Sequence, residues 1–517
     1  MNSVPHCFSL SPGQTTKRWL AVLSKAGYHA VGPKTTDEAD VYFDTQDGRF
    51  FRASQRLRRH TQKTAVSWQL LSADRVILEQ TTKGQQPPAR FTESGAHRRL
   101  IPQVETAIHE DRYRVGSRSP VFVIEQRWRF RDPLVPTAWI DGPRVLCVEA
   151  AGGAPTTRES CAVADTLRDA AHLTPLTTDA LVAGLAAIGS PLPGAPMPDE
   201  YLLLLADSAA TAVRKNLAKQ GYRMWAQTRG ALLDLDPEFV HDLRVATRRA
   251  RFALRLLDVD DQTSWAAHVR EELSWIAASL GAVRDLDVFL LRLPELYARA
   301  EAPAAVRAFV TRQFRSSRAV ALRELVAALS SKRFHQLLAD LQSAMTTERI
   351  SLPPEAAESS ALDLSGRSIN QAARRVRRWT PIRPESAANL HRLRIAFKRL
   401  RYTCEFFADL YLDGLQPFIR RFVKMQDLLG RHQDAVVAAE NFRRLAATVA
   451  SAAQPATERL VFLGALIQLQ REEMNDAQVR LDARWKRNRK QIKKLLRFVE
   501  QTGPEKENEE PPGDKDH

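Results

Sequence analysis

Two stretches of this chain repeat each other. Residues 241–257 read HDLRVATRRARFALRLL and residues 391–407 read HRLRIAFKRLRYTCEFF, their leading histidines 150 positions apart. Each is followed at nearly the same distance by a Leu-Gly landmark with acids behind it, LGAVRDLDV at 280–288 and LGRHQDAVV at 429–437. Two landmarks in the same order at nearly the same offset mean an internal duplication. The surrounding segments are long, rich in Ala, Leu and Arg, poor in glycine and of helical period. They predict an all-α domain over 201–501 with pseudo-twofold symmetry, built of two helical bundles, repeat 1 at about 201–350 and repeat 2 at about 357–501. The Leu-Gly landmarks read as helix starts, with Asp285, Asp287 and Asp434 either orienting arginines or capping.

On a helix, His241, Arg244, Arg248, Arg251 and Arg255 fall along one face, and His391, Arg394, Lys398 and Arg401 repeat that stripe in the second copy. Arg249 and Arg399 lie off it. A separate apolar face runs through Leu243, Ala250 and Leu254, and through Leu393, Phe397, Leu400 and Cys404. Charge on helices is usually neutralised by acids a turn away. Here the first stripe has only Asp242 and Asp258 near it in sequence, and the second only Glu405 and Asp409. If the copies pack about a twofold axis, the stripes face each other across a groove whose repulsion a polyanion relieves. Arginine suits phosphate because its planar fork bridges two oxygens, and histidine adds a donor whose charge follows pH. Lys215, Arg374 and Arg378, with a further run from Arg484 to Lys494, widen the basic surface.

The charge balance agrees with an anionic partner: 76 Lys and Arg stand against 60 Asp and Glu, a formal charge of +16. Cys7, Cys147, Cys161 and Cys404 fit no zinc or CxxC spacing and offer no disulfide framework, so a reducing compartment is expected. Residues 1–19 show no secretory pattern, and no apolar stretch is long enough to span a bilayer. A cytoplasmic protein without membrane association is the expectation; oligomeric state is not legible.

Four prolines in IGSPLPGAPMPDE mark 188–200 as a linker. Before it, 1–187 reads as an α+β domain with strands at 40–43, 55–62, 66–71, 76–82, 121–131 and 144–150, a helix at 15–26 and one or two helices within 161–188. After it come helices, and 502–517, almost without apolar residues, reads as a disordered tail.

The duplicated motif, with its order and spacing, resembles the CHAD domain, the conserved histidine α-helical domain, over roughly 200–500. The resemblance implies a helical domain that binds inorganic polyphosphate in a basic central channel. It would place His241, Arg244, Arg248, Arg249, Arg251, Arg255, His391, Arg394, Lys398, Arg399 and Arg401 in the channel and its rim, and would allow association with polyphosphate granules.

YFDTQDGRFFRASQRLRRH at 42–60, followed by alternating strands, resembles a CYTH domain, the triphosphate tunnel metalloenzyme fold. That family encloses an antiparallel β-tunnel or barrel in which inward Arg and Lys hold triphosphate and carboxylates hold metal. Alternation puts Arg56 and Arg58 on one strand face with His60, and Arg127, Arg129 and Arg131 together on another, with Lys83 a further candidate; facing solvent is the equal alternative. The family's Glu-x-Glu-x-Lys strand is replaced by His6-Cys7-Phe8-Ser9-Leu10. The domain therefore reads as degenerate. No catalytic or metal-ligating residue is assigned and no cofactor is required, with Mg²⁺ or Mn²⁺ needed only if the domain is active.

Three functions follow for comparison. The first is a non-catalytic polyphosphate-binding protein. The second is a metal-dependent triphosphatase or polyphosphatase drawing on Glu79, Glu125, Asp141 and Glu149. The third is a nucleic-acid binder, disfavoured because the stripes carry no interleaved aromatics, Trp225, Phe252, Trp379 and Trp485 being read as packing residues.

Overall fold

The structure is a computed structural model and describes residues 6–72, 75–82, 87–94, 99–116, 120–135, 138–151, 157–190, 192–256, 265–346, 359–378, 387–451 and 456–502. Lys83, Asp258, Trp379 and the segment 503–517 lie outside the described residues. The chain divides into two compact units, Met1–Pro196 and Met197–His517.

The first unit is one antiparallel sheet of nine strands, β1 His6–Leu10, β2 Ala30–Asp44, β3 Gln55–Gln62, β4 Ala65–Ser72, β5 Arg75–Thr81, β6 Ile101–Val115, β7 Val121–Arg131, β8 Ile140–Ala150 and β9 Thr174–Pro175. Their order is β5-β4-β3-β2-β6-β7-β8-β1-β9. Apolar residues of both strand faces are buried, so each face needs a cover. On one face α1 (Thr16–Lys25) and α4 (Arg158–Ala170) cover β1, β7 and β8 through Trp19, Leu23, Val163 and Leu167 against Phe8, Val123, Leu146 and Val148. A second cluster there joins Leu57, Trp68 and Leu70 to Phe50 of α2 (Arg49–Arg52) and Phe91 of α3 (Ala89–Ser94). On the other face α5 (Ala180–Ala187) lies against Tyr42, Val104, Trp128, Phe130 and Val145.

β6 was not anticipated from the sequence, because HEDRYR within it has no apolar alternation. Its charges are answered across the sheet: Glu105 pairs with Arg131 at 2.7 Å and Asp111 with Arg127 at 2.9 Å. The proline-rich stretch is also not a free linker throughout. Gly48 and Gly194 both have positive φ, and a Cβ on Gly48 would lie 2.1 Å from the Pro193 carbonyl oxygen, so this backbone packs tightly onto the first unit.

Cys7 and Cys147 are joined by a disulfide, which corrects the expectation of four unbridged thiols. The two residues are 140 positions apart and become directly opposed only through the β1–β8 register, which spacing cannot reveal.

The second unit is helical: α6 Ala209–Leu232, α7 Pro237–Ala253, α8 Trp265–Arg299, α9 Ala304–Leu329, α10 Lys332–Gln342, α11 Ala361–Arg377, α12 Ala387–Phe406, α13 Gln416–Ala450 and α14 Thr457–Thr502. The duplication is visible in its hydrogen bonds. The starts of α6 and α11 pair reciprocally, Ala209 N donating to Ser359 O and Ala361 N to Asp207 O, both at 2.9 Å. Ser208 and Ser360 cap the two helices in the same way. One apolar core spans both repeats, with Phe289, Leu293 and Leu296 of α8 and Val310 and Phe314 of α9 against Ala438 and Phe442 of α13 and Leu463 and Leu466 of α14.

The Leu-Gly landmarks are not helix starts. Gly281 lies within α8 and Gly430 within α13, each helix 35 residues long. The acids there project from mid-helix and cap nothing.

Candidate functional site

α7 begins at an Asp236 cap with Pro237 in its first turn and buries Leu243, Ala246, Thr247 and Ala250. α12 buries Leu393, Ala396, Phe397 and Leu400. With those faces turned inward, the intervening positions must line the space between the helices. There the two stripes meet: Arg249 Nη2 lies 2.7 Å from Glu405 Oε2, the Arg248 guanidinium sits 5.0 Å from the Tyr402 ring centroid, and Phe252 packs edge-on to Phe406.

Two cavities follow one another along this seam. The first, about 360 Å³, is lined from matched positions of both repeats: His241, Arg244, Arg284, Asp285 and Val288 from one, His391, Arg394, Gln433, Asp434 and Val437 from the other. The second, about 210 Å³, is lined by Arg248, Arg251, Phe252, Arg255, Ile395, Lys398, Arg399 and Tyr402. No carboxylate lines it among the described residues.

The electrostatics follow from that geometry. Burial, followed by Arg394, Arg248, Arg244 and Arg401, pushes the Lys398 ammonium down to about 7. Arg248 is lowered by burial and then by Arg244, Arg401 and Arg249, with Tyr402 opposing them; Arg255 is lowered by burial and then by Arg399, Arg251, Arg270 and Arg375. Arg394 is lowered by burial and by Arg244, against Asp434. His241 is held below the usual imidazole range by burial and Arg284. The Nε atoms of Arg248 and Arg399 are buried with no hydrogen-bond partner among the described residues, whereas Arg401 Nε lies 3.5 Å from Glu405 in an ion pair one turn along α12. Buried, crowded cations with unpaired guanidinium donors have the chemistry that suits an oxyanion.

Acids temper the first cavity without cancelling it. Asp285 lies 3.6 Å from Arg244, and Asp434 acts on Arg394. Asp287 plays no part there; it is buried in an ion pair with Arg318, which Asp234 shares. His391 Nδ1 lies 3.0 Å from Gln433 Oε1, which fixes its ring at the rim.

Several expected positions fall elsewhere. Arg249 turns away from the stripe into a neighbouring cavity with Arg223, Glu405 and Asp409. Lys215 is buried and its ammonium is 2.9 Å from Asp207 and 3.0 Å from the Leu202 carbonyl; it pins the start of α6 and lines neither cavity. Arg374 is exposed and bonds Asn370 at 3.2 Å, and Arg378 is exposed at the end of α11. The member of that cluster that acts on the stripe is Arg375, through Arg255.

Arg284 and Tyr402 were missed by sequence reasoning. Arg284 sits inside the first landmark beside the aspartates, and Tyr402 is one turn beyond Lys398, so both were readable from helical spacing. Tyr402 and Phe252 also correct the view that no aromatic interleaves the stripes. The Tyr402 ring lies against Arg248 and Arg401 at 5.0 and 4.9 Å and is buried, so it is no exposed platform for a base.

In the first unit the register separates the arginines into two sets. Arg58 pairs across to Tyr42 and Gln69, whereas Arg127, Arg129 and Arg131 pair across to His109, Ala107 and Glu105 and fall on the opposite sheet face with Arg59. Both sets are engaged. Arg56 meets Asp179 at 2.8 Å, Arg58 and His60 both meet Asp40 at 2.8 Å, and Arg129 and Arg131 stack on Trp139.

The four carboxylates named for metal do not converge either. Glu125 is held by Thr16, Trp19 and Arg144 beneath α1, and Asp141 opposes Arg129, whereas Glu79 bonds Gln69 and Glu149 faces Arg112 on the other face. Among the described residues no group of three or more His, Cys, Asp or Glu could hold a metal ion.

Comparison with known proteins places this geometry. The CHAD domain model matches residues 215–443. The uncharacterized proteins Rv2226 and MT2285 of Mycobacterium tuberculosis are each 29% identical over 268 residues, and the chain spans 49% of their length and matches over 49% of its own. Among solved structures, the CHAD domain of the plant Ricinus communis is 28% identical and covers 58% of this chain and 96% of its own, with a TM-score of 0.44. PptA from Streptomyces chartreusis is 22% identical, covering 54% of this chain and 100% of its own, also with a TM-score of 0.44. A Bacillus halodurans protein described as an adenylate cyclase is 12% identical over 35% of this chain, with a TM-score of 0.22. The duplicated, histidine-led helices that line the two cavities lie within the matched segment, and residues 215–443 are a CHAD domain.

Proposed function

We propose that the helical unit binds inorganic polyphosphate along the seam between α7 and α12, without hydrolysing it. One observation carries the reading: the second cavity is lined by Arg248, Arg251, Arg255, Lys398 and Arg399 with no carboxylate among them. Cations brought together at that density repel, and the cost is relieved by a ligand with closely spaced negative charge. A phosphate chain answers that need, and the CHAD resemblance implies the same ligand. Location on polyphosphate granules in the cytoplasm belongs to this proposal, and no helix of the described residues is long and apolar enough to cross a membrane.

The test is equilibrium binding of polyphosphate to the full chain, with Arg248→Ala and Lys398→Ala together as the variant. Each charge-assisted hydrogen bond is worth about 1.5–3 kcal/mol, so the double variant should bind about 100-fold more weakly or worse. Its folding stability should hold or rise, since two repelling charges are gone. Unchanged affinity, or equal affinity for DNA of matched length at the same salt, would sink the reading.

A further inference from the structure

α14 changes character along its length. Its first half mixes signs and pairs them: Arg480 meets Asp476 at 3.0 Å, and Glu473 binds Arg292 and Arg299. From 483 to 499 there is no acid at all. Leu481, Trp485, Asn488, Ile492, Leu495 and Val499 are buried on one side, Trp485 6.0 Å from Phe397 and Asn488 bonded to Met425 at 3.4 Å. Lys486, Arg487, Arg489, Lys490, Lys493 and Lys494 are exposed on the other, with Arg484 and Arg497 exposed at the ends. None of their side chains makes an ion pair or hydrogen bond among the described residues, although those of exposed arginines elsewhere on the surface do, such as Arg168 and Arg443.

This segregation works against the helix. Lys486 and Lys490, Arg489 and Lys493, and Lys490 and Lys494 are each one turn apart, and each like-charge pair opposes the helix. The helix dipole rewards cations only in the last turn, whereas this strip begins four turns earlier. Arg421 and Lys424 of α13 are also exposed, beside the Met425 that touches α14, and broaden the strip.

We propose that this face of α14 is a second docking strip for polyphosphate, engaged by the same chain that occupies the α7–α12 seam. The inference rests on the function proposed above. No aromatic is exposed among the cations, so the face offers no base-stacking platform, and no large apolar residue is exposed among them to enter a lipid layer. Lysine suits the role, a compact charge on a flexible stem that follows a polymer without imposing geometry. The fourteen residues from Arg484 to Arg497 span roughly 20 Å of helix, enough to hold a run of phosphates. Two sites on one domain turn the second contact into an intramolecular one, so long chains gain affinity that short chains do not.

The experiment changes Lys486, Lys490, Lys493 and Lys494 to Gln in the full chain, helix-compatible substitutions checked by circular dichroism. Binding is measured to polyphosphate of about ten and about one hundred phosphates over a salt series, with duplex DNA in parallel. Short-chain affinity should stay within about twofold, long-chain affinity should fall about tenfold or more, and the long-chain salt slope should drop by about 3. Unchanged long-chain affinity returns the strip to solvated surface, and an equal loss for both lengths merges it with the seam. Loss of DNA binding with long-chain polyphosphate binding intact assigns it to nucleic acid; each of these three outcomes overturns the proposal. Failure of the primary reading looks different, because the Arg248/Lys398 variant would then leave short-chain binding untouched.

Discussion

Lys398 shows how a single position carries the chemistry of the seam. Arg394 and Arg401 flank it on α12, Arg244 and Arg248 face it from α7, and Asp434 of α13 is the acid that feels it. Its ordinary value in an unfolded chain lies far above the value near 7 in the folded one, so between those limits the unfolded chain holds the extra proton. Folding stability therefore rises with pH from about 7 upward, and the whole penalty is present below 7. A bound polyanion restores the charge, which requires proton uptake in that same window. Affinity for polyphosphate should fall as pH rises above about 7, by up to about tenfold per pH unit for one proton. Calorimetry in buffers of different ionisation heat measures the uptake directly, and Lys398→Arg, which keeps its charge, should flatten the profile while still binding. A flat profile in the unaltered protein would mean that Lys398 is charged in the empty seam.

At the scale of elements, the seam depends on the core that underlies its first cavity. Phe289 of α8 borders the first cavity and packs on Phe314 at 4.4 Å and Phe442 at 5.2 Å, joining both repeats. Phe289→Ala should cost about 3–5 kcal/mol in urea unfolding and loosen the spacing of α8 and α13. α6 and α7 are fitted as closely: a Cβ on Gly230 would lie 2.1 Å from the Phe239 ring, so Gly230→Ala should lower the melting temperature of the helical unit despite alanine's better helix propensity. Helices were legible because each buries one stripe and therefore writes its period into the sequence. β6 was not, because its charged residues are answered by neighbours on β7 from a distant part of the chain. The landmarks misled for a related reason: glycine followed by acids looks like a helix boundary, whereas Gly281 faces only the Arg244 side chain within 4 Å and sits in continuous helix.

The two units differ in how their cations are met. In the sheet unit Arg56, Arg58, Arg127 and Arg131 are each met by a carboxylate; in the helical unit no carboxylate lines the second cavity of the seam among the described residues, and the α14 strip makes no ion pair there. That unit alone should therefore account for the binding. The disulfide belongs only to the sheet unit, where it closes a loop of 140 residues between β1 and β8. Its reduction should destabilise that unit by about 2–5 kcal/mol. The helical unit contains only Cys404, buried and unbridged, so its unfolding transition and its polyphosphate affinity should not move. Calorimetry with and without reductant tests this. A shift of both transitions, or a loss of binding, would show the units to be energetically coupled.

By itself the sequence determined the duplication, the helical class of the second half, most strands of the first but not β6, and the identity of the two stripes. Those properties are periodic or repeated, so they are written in residues near one another along the chain. Only the tertiary structure decided which charges remain free. Lys215 and Arg249 are held by Asp207 and Glu405, Arg284 lines the first cavity while paired with Glu238, Arg375 acts on Arg255, and the sheet arginines divide between two faces. Whether a cation is available to a ligand depends on what stands opposite it. That is set by contacts between residues as far apart as Arg249 and Glu405, which no local pattern records.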